Sequence, residues 1–377
     1  MKRIGWRSLA VVAVALVGVM LAVWRRDVPT ADGVVTAALP TEVAGPQAPP
    51  SPRRVAVSNE GTATAPAIAK PTRADAPVWD LCGFGKLPVP PGSSASAAAN
   101  FDLPLHLGAI PTGQLYERTL AALKQGTPRQ RAAASVLNMD PEQVDSAAAQ
   151  LAQLALSSRD PVALSWAWTR CRSKQPCAEG LARAWTQIEP SNVTAWLALA
   201  QDEPKAAAEA RAGLVAAKHY SLRGGLLVHE AMKAVPPDAE PYLRQQLAVV
   251  VTGIEAALSM PTLQPLSALC MPPPPPGSER QATCGAMATM VIEHSDSLLG
   301  HATGIRMGER AGWPAPRLAE LRAEQMRLEA ALLNFPMDKQ QPMSCESVDR
   351  VARSVHERGE LGELAYLKRQ AALRERR

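Results

Sequence analysis

Aromatic residues make up only 4% of this 377-residue sequence, and they do not gather in basic stretches. The net charge is +5, but acidic and basic residues are interspersed along most of the chain. Proteins that bind nucleic acids usually carry a basic stripe together with aromatic side chains on which bases can stack. The composition therefore argues against DNA or RNA as a partner.

The short motifs of common catalytic and metal sites are also missing. The sequence has neither Gly-x-Ser-x-Gly nor Cys-x-x-Cys, which mark esterase nucleophiles and zinc or redox sites. His229 and His356 are each followed by a glutamate but lack the second histidine of a zinc protease helix. His294 and His301 are seven residues apart, whereas metal-binding helices use spacings of three or four. We therefore predict no catalytic residue, no cofactor and no metal.

What the sequence does contain is one unbroken apolar run, LAVVAVALVGVMLAVW, from Leu9 to Trp24. As a helix this run is about 25 Å long, since each residue adds ~1.5 Å. A bilayer core is roughly 30 Å thick, so this length is at the short end of the acceptable range for a span. Trp6 and Trp24 lie at its two ends, where amphipathic rings favour the headgroup region. We predict a transmembrane anchor at residues 9–25.

A cleavable secretory signal is the alternative, because basic residues precede the run in signals as well. The residues that follow the run, WRRD, fit a peptidase cleavage site poorly and favour an uncleaved anchor. Basic residues are more frequent before the span than after it, and none occurs between Arg26 and Arg53. The positive-inside rule then places residues 1–8 in the cytoplasm and the C-terminal body in the periplasm. The excess of Arg over Lys and the abundant Ala and Pro resemble bacterial envelope proteins, which favours the bacterial inner membrane.

Beyond the anchor, the composition changes twice. Residues 26–77 are rich in Ala, Pro, Thr and Val without any periodicity, and such a stretch buries too little apolar surface to order itself. Residues 78–377 show one helical pattern after another, broken at Pro and Gly, with no convincing strand. We predict a flexible spacer at 26–77 and an all-α extracytoplasmic domain at 78–377, with a possible subdivision near 260–278.

The sequence indicates clearly where several helices of this domain begin, and one helix is expected to be long. Thr127 precedes a proline in the pattern of a capping residue before the first helical position. A single helix is predicted over 279–311, and Gly304, Gly308 and Gly312 recur at every fourth position near its end. Residues four apart share one helix face, so these glycines predict close packing against another helix.

The segment around Pro190 and Trp196 carries the most specific pattern. These two residues are six apart, Leu199 follows in the same helix, and Ala212 supplies a small residue in the next one. Over residues 178–222 the pattern resembles the junction between consecutive tetratricopeptide repeats. The resemblance implies degenerate helical hairpins, in a solenoid or a bundle, that present a surface to protein partners.

Half of the eight tryptophans lie close together, at Trp166, Trp168, Trp185 and Trp196. They could line a groove for a peptide and form an interaction surface. Core positions between helices are the alternative, which we favour for at least two of the four.

A run of five prolines follows Met271 and should adopt an extended left-handed helix. Such a run could dock into an aromatic-lined groove of a partner. We favour the alternative, a rigid loop closed by a disulfide between Cys270 and Cys284.

Six cysteines occur, and the predicted topology places them all on the oxidising side of the membrane, where disulfides persist. Spacing suggests two local pairs, and the two remaining cysteines would join the start of the domain to its last helices. Connectivity cannot be deduced from sequence alone. The candidate pairs are Cys171–Cys177, Cys270–Cys284 and Cys82–Cys345.

Together these features favour a membrane-anchored periplasmic helical protein that is not an enzyme and that binds protein partners in the envelope. One alternative is an envelope enzyme, such as a cell-wall hydrolase, with an active site that no motif marks. Another is a carrier for an apolar ligand, which would need a closed pocket lined by Leu, Met and Ala.

The cysteine pairing has a direct test. We expect Ellman titration of the unreduced, denatured protein to find no free thiol, because every cysteine would be in a disulfide. The same titration after reduction is the control for complete access of the reagent. Six free thiols before reduction would contradict the pairing and the oxidising compartment together.

Overall fold

The computed structural model describes residues 78–83, 85–88, 105–140, 142–171, 177–258, 260–333 and 344–376. The predicted anchor and spacer lie outside these residues. Within the described part of the chain, no helix is both long and apolar enough to cross a bilayer.

A short antiparallel hairpin precedes a series of α-helices in the described residues. Strand β1 (Val78–Leu81) pairs with β2 (Gly85–Pro88). The all-α class is confirmed for this part of the chain, and the small hairpin is an addition that the sequence did not predict. The helices are α1 Leu105–Lys124, α2 Pro128–Leu137, α3 Val144–Ser158, α4 Pro161–Cys171, α5 Leu181–Ile188, α6 Val193–Asp202, α7 Ala207–Ala216, α8 Leu226–Lys233, α9 Pro241–Ala256, α10 Gln264–Ala268, α11 Glu279–Glu293, α12 Leu298–Arg310, α13 Ala315–Leu333, α14 Cys345–Leu361 and α15 Glu363–Glu375.

The chain stacks its first seven helices in order, each against the next, and then turns back. Helix α8 packs against α1 and α2, and α9 packs against α1. Helices α11 and α12 pack against each other. Helix α13 packs against both α12 and α15, and α15 packs against α14. Helix α14 lies across both α8 and α9, so the last part of the chain closes onto its middle.

The start of α2 shows how local sequence sets a helix boundary. Thr127 accepts a hydrogen bond from the Gln130 amide at 3.3 Å, and Gln130 accepts one from the Thr127 amide at 3.0 Å. This reciprocal capping box satisfies two amides that the first helical turn would leave unpaired. Pro128 occupies the first helical position, where its missing N–H costs nothing.

The single helix predicted over 279–311 is wrong, because the structure divides it into α11 and α12. Ser297 begins α12 by accepting a hydrogen bond from the Gly300 amide at 3.1 Å. Just before it, Tyr220 donates its amide to the His294 carbonyl at 3.0 Å and accepts the Asp296 amide at 3.1 Å. The break therefore depends on a segment more than 70 residues earlier, which the local pattern does not contain.

A glycine of α12 allows α11 and α12 to approach closely. A Cβ atom at Gly304 would lie 2.9 Å from the Ala288 carbonyl oxygen of α11, which confirms the predicted packing against another helix at this position. A Cβ atom at Gly308 would instead meet the ring of Trp313, in the turn that follows α12. Gly312 lies beyond the end of α12 with φ +76°, so its place on the same helix face was predicted wrongly.

The structure brings the same three cysteine pairs to disulfide distance that the sequence suggested. Their Cα atoms are 4.5 Å apart for Cys82–Cys345, 5.4 Å for Cys171–Cys177 and 5.4 Å for Cys270–Cys284. The first bond spans 263 residues, and closing so long a loop stabilises the fold by on the order of 5 kcal/mol in the chain-entropy view. It ties the hairpin to the first residue of α14.

A matched pair of glycine substitutions tests the contact between α11 and α12. Gly304→Ala should lower the free energy of unfolding by about 1–3 kcal/mol, because the new methyl group presses on the α11 backbone. Gly113→Ala in α1 meets nothing within 4 Å and should stabilise by up to about 1 kcal/mol through helix propensity. Urea denaturation followed by circular dichroism measures both, and equal effects would contradict the close packing.

Candidate binding groove

Three helices of the described part, α8, α9 and α14, enclose a groove of about 310 Å³. We call it the three-helix groove. Its rim is open to solvent, because the Lys233, Ala352 and His356 side chains are exposed. The lining residues are His229, Met232 and Lys233 of α8, Pro241, Arg244, Gln245 and Ala248 of α9, and Val348, Asp349, Val351, Ala352, Val355 and His356 of α14.

The floor of the groove comes from helical periodicity. Val348, Val351 and Val355 of α14 recur at intervals of three and four, so they lie on one face. Val348 and Val351 are 3% and 1% exposed, and Ala248 of α9 is 4% exposed. Met232 of α8 adds a flexible side chain that adjusts to irregular neighbours. The result is an aliphatic floor between three fixed helices.

Contacts on either side hold the helices that line the groove. Cys345 begins α14 and is bonded to Cys82, and the adjoining Gly83 lies against the Glu240 side chain just before α9. Within the lining, the rings of His229 of α8 and His356 of α14 stack with their centroids 5.5 Å apart.

The rim carries polar groups of both signs. The ammonium of Lys233 lies 3.6 Å from a carboxylate oxygen of Glu230, and His356 Nε2 lies 3.3 Å from an oxygen of Glu360. Arg244 donates to backbone carbonyls of the loop before α9, which holds its guanidinium at the rim.

His229 lies in the lining of the groove with only 6% of its surface exposed. Burial lowers the pKa of its imidazole, and the positive charge of Lys233 lowers it further.

A second, more polar hollow of about 430 Å³ adjoins the groove and shares Lys233 with it. The acids of the hollow are paired: Asp160 lies 3.0 Å from Arg129, and Glu230 lies near Lys233. Its lining consists of Thr127, Pro128, Arg129, Gln130, Ser158, Asp160, Glu230 and Lys233.

A carboxyl with a raised pKa lies elsewhere, at the C-terminal end of α9. Burial raises the pKa of Glu255 to about 7, while the Leu227 amide and the charge of Arg358 oppose the shift. The Glu255 carboxylate accepts from the Leu227 amide at 3.0 Å, so it caps α8, whose own cap residue is Gly225 and has no side chain. This contact holds the start of α8 against the end of α9.

One arrangement for acid–base catalysis is a carboxyl with a shifted pKa at a cavity wall. Glu255 meets the first condition but lines neither cavity, and Glu230 lines the hollow but is paired with Lys233. Among the described residues, no group of three or more His, Cys, Asp or Glu is arranged to hold a metal ion.

The structure bears out the favoured alternative, core positions, for three of the four clustered tryptophans, so these three do not form the interaction surface that was the other possibility. Trp166, Trp168 and Trp185 are 4%, 0% and 2% exposed, and they pack in the main core with no face left for a partner. Trp196 keeps a partly exposed ring, which rests on Gly213. Indoles are large and apolar, so the gaps between stacked helices take them up.

The sequence analysis did not single out the groove. Its signal was present in the valine spacing of α14, which predicts an apolar helix face. That spacing does not tell which helices the face meets, nor that part of it stays uncovered.

No family model, no curated protein and no solved structure matches this chain. Helices α5, α6 and α7 follow one another in contact over the segment that resembles tetratricopeptide repeats. The resemblance itself stays a prediction.

The raised pKa of Glu255 predicts a pH dependence of stability. The folded protein binds this proton more tightly than the unfolded chain, so the contribution of Glu255 is complete below pH 4.5 and is lost as pH rises through about 7. Glu255→Gln should therefore gain stability relative to the wild type across this range, by on the order of 2 kcal/mol. Urea denaturation at a series of pH values measures the difference.

Glu142→Gln, at an exposed glutamate, controls for the loss of one carboxyl group. A wild type that instead gained stability over Glu255→Gln with rising pH would show that the charged cap outweighs burial.

Proposed function

We propose that this chain is a membrane-anchored periplasmic protein that binds, without catalysis, a short aliphatic segment of another envelope protein in the three-helix groove. The observation that carries the proposal is the groove between α8, α9 and α14, where the half-buried side chains of Met232 and Val355 leave apolar surface accessible above a buried aliphatic floor. A surface of this kind gains free energy when a partner covers it, because apolar area leaves water.

The size and shape of the groove indicate what it takes. A volume of about 310 Å³ is at the lower limit for binding pockets, which start at roughly 300 Å³, so a few aliphatic side chains fill it. An amphipathic helix of a partner protein can insert apolar side chains, at regular helical spacing, into a groove of this kind. The rigid walls favour binding, since the disulfide and the Glu255 cap already order them.

Charge at the rim sets the flanks of the partner. The groove lining contains two permanent cations, Lys233 and Arg244, and one carboxylate, Asp349. Complementary charge raises the association rate and selects between partners. An aliphatic segment flanked by acidic residues therefore fits best.

The location of this binding module rests on the sequence features outside the described residues. An anchor at 9–25 and a spacer at 26–77 would hold the domain at a distance from the inner membrane, on its periplasmic side. Disulfide-distance pairs of all six cysteines support an oxidising compartment.

The two rival functions have less support from the geometry. A carrier of apolar ligands needs an enclosed pocket, whereas the groove is open and carries charged groups along its rim. A hydrolase needs a carboxyl of raised pKa in a cleft, and Glu255 lines neither cavity.

A fluorescence anisotropy titration tests the groove. The probe is a fluorescein-labelled peptide with two leucines three residues apart, flanked by aspartates. We expect saturable binding to the full chain, weakened at least about tenfold by Ala352→Glu, which puts a negative charge on the groove wall.

The matched control is Arg353→Glu. Arg353 is exposed next to Ala352 but does not line the groove, and its reversal changes the net charge more than Ala352→Glu does. It should weaken binding far less. Equal losses in the two variants would assign the binding to net charge, and an absence of saturable binding to the wild type would reject the groove as the site.

A further inference from the structure

The proline run after Met271 forms a surface that the groove does not involve. Each proline fixes its own φ near −65°, and each residue before a proline is driven to extended ψ values. Pro272 to Pro275 meet both conditions, which favours the left-handed polyproline helix from Pro272 onward, after the cis Met271–Pro272 peptide bond. The run is ordered without any help from hydrogen bonds of its own.

Contacts at both ends hold this run against the body. Arg280 donates to the carbonyls of Leu269 and Met271. Gln281 accepts the Gly277 amide at 2.6 Å. These side chains extend from the first turn of α11, so the helix fixes the loop on either side of the prolines.

The Cys270–Cys284 disulfide adds a covalent closure around the same loop, with its Cα atoms 5.4 Å apart. Both cysteines are fully buried, at 0% exposed. The base of the loop therefore lies in a hydrophobic core that also contains Leu197, Leu214 and Met287, while the prolines at its tip lie outside this core.

Only one ring of the run is used to pack against the body. Pro274 is buried, whereas Pro272, Pro273, Pro275 and Pro276 are exposed. A polyproline helix has three residues per turn, so a single inward ring leaves the other two faces outward. A loop that served closure alone would not need this row of exposed apolar rings.

We propose that these exposed rings, which we call the proline ridge, dock into an aromatic-lined groove of a partner protein. Proline residues offer flat apolar rings and carbonyl acceptors but no backbone N–H. Grooves lined by Trp and Tyr match this surface, because their rings pack between prolines and their N–H and O–H groups donate to the carbonyls. The ridge binds with little loss of entropy, since its conformation is already set.

A second copy of this chain does not supply such a groove from its described aromatic side chains. Of these, Trp196 and Trp313 are the ones left partly exposed. Trp196 donates its indole N–H to the Pro190 carbonyl at 2.8 Å, and Arg317 lies over the Trp313 ring, 3.6 Å from its centroid. Both rings are engaged, so the described aromatic side chains favour a different protein as the occupant.

Photo-crosslinking in the envelope tests the ridge. A photoreactive amino acid replaces Met271, which is 52% exposed beside the prolines, in the full chain. We expect a discrete adduct whose partner peptide, mapped by mass spectrometry, contains Trp or Tyr residues. Pro273→Ala with Pro275→Ala should reduce this adduct at least about fivefold, since two of the docking rings are lost.

Two matched controls separate the ridge from other effects. Pro236→Ala with Pro237→Ala removes two prolines from the loop before α9 and should leave the adduct unchanged. Ala352→Glu, on the three-helix groove, should also leave it unchanged, so the two surfaces are tested independently. Thermal unfolding checks the fold of each variant, and Pro273→Ala alone replaces the double variant if that one unfolds.

Three results would overturn the proposal. They are the absence of any adduct, an adduct with a second copy of this chain, and an adduct that the ridge substitutions do not reduce.

Discussion

The packing of α14 across α8 and α9 is the contact on which the rest of the molecule depends. It closes the C-terminal helices onto the middle of the chain and creates the three-helix groove. Both ends of α14 are held: Cys345 is bonded to Cys82 at the start, and Arg358 near the end pairs with Glu363 of α15 at 2.8 Å. A helix with valines on one face would pack in many places, and these attachments select one of them.

Two carboxylates also connect helices by accepting hydrogen bonds from amides at helix starts. Glu255 caps α8, and Glu363 accepts the Leu298 amide at the start of α12 at 3.2 Å. Carboxylates from one helix thus satisfy the amides at the start of another, where the helix dipole favours negative charge. The cost of burying Glu255 appears as its raised pKa, so the positions of the helices are coupled to protonation.

The two proposed interaction surfaces use opposite physical strategies. The groove is a concave aliphatic surface whose walls are helices, and its partner must bring side chains to it. The proline ridge is a convex segment with a preset backbone, and its partner must bring a groove to it. Both are ordered before binding, by disulfides and by helix packing, which lowers the entropic cost of association.

Most of what the sequence determined is local. Helix starts such as Thr127-Pro128, the all-α class and the close approach at Gly304 follow from caps, propensity and spacing between near neighbours. The tertiary structure alone decided the break between α11 and α12, because that break depends on Tyr220, and the burial of three of the four clustered tryptophans. The position of the groove also depends on the tertiary structure. The valine spacing of α14 indicates an apolar helix face, but it does not indicate which helices pack against that face or which part of it they leave exposed. Local rules act over a few residues, whereas these features arise from contacts between segments far apart in the chain.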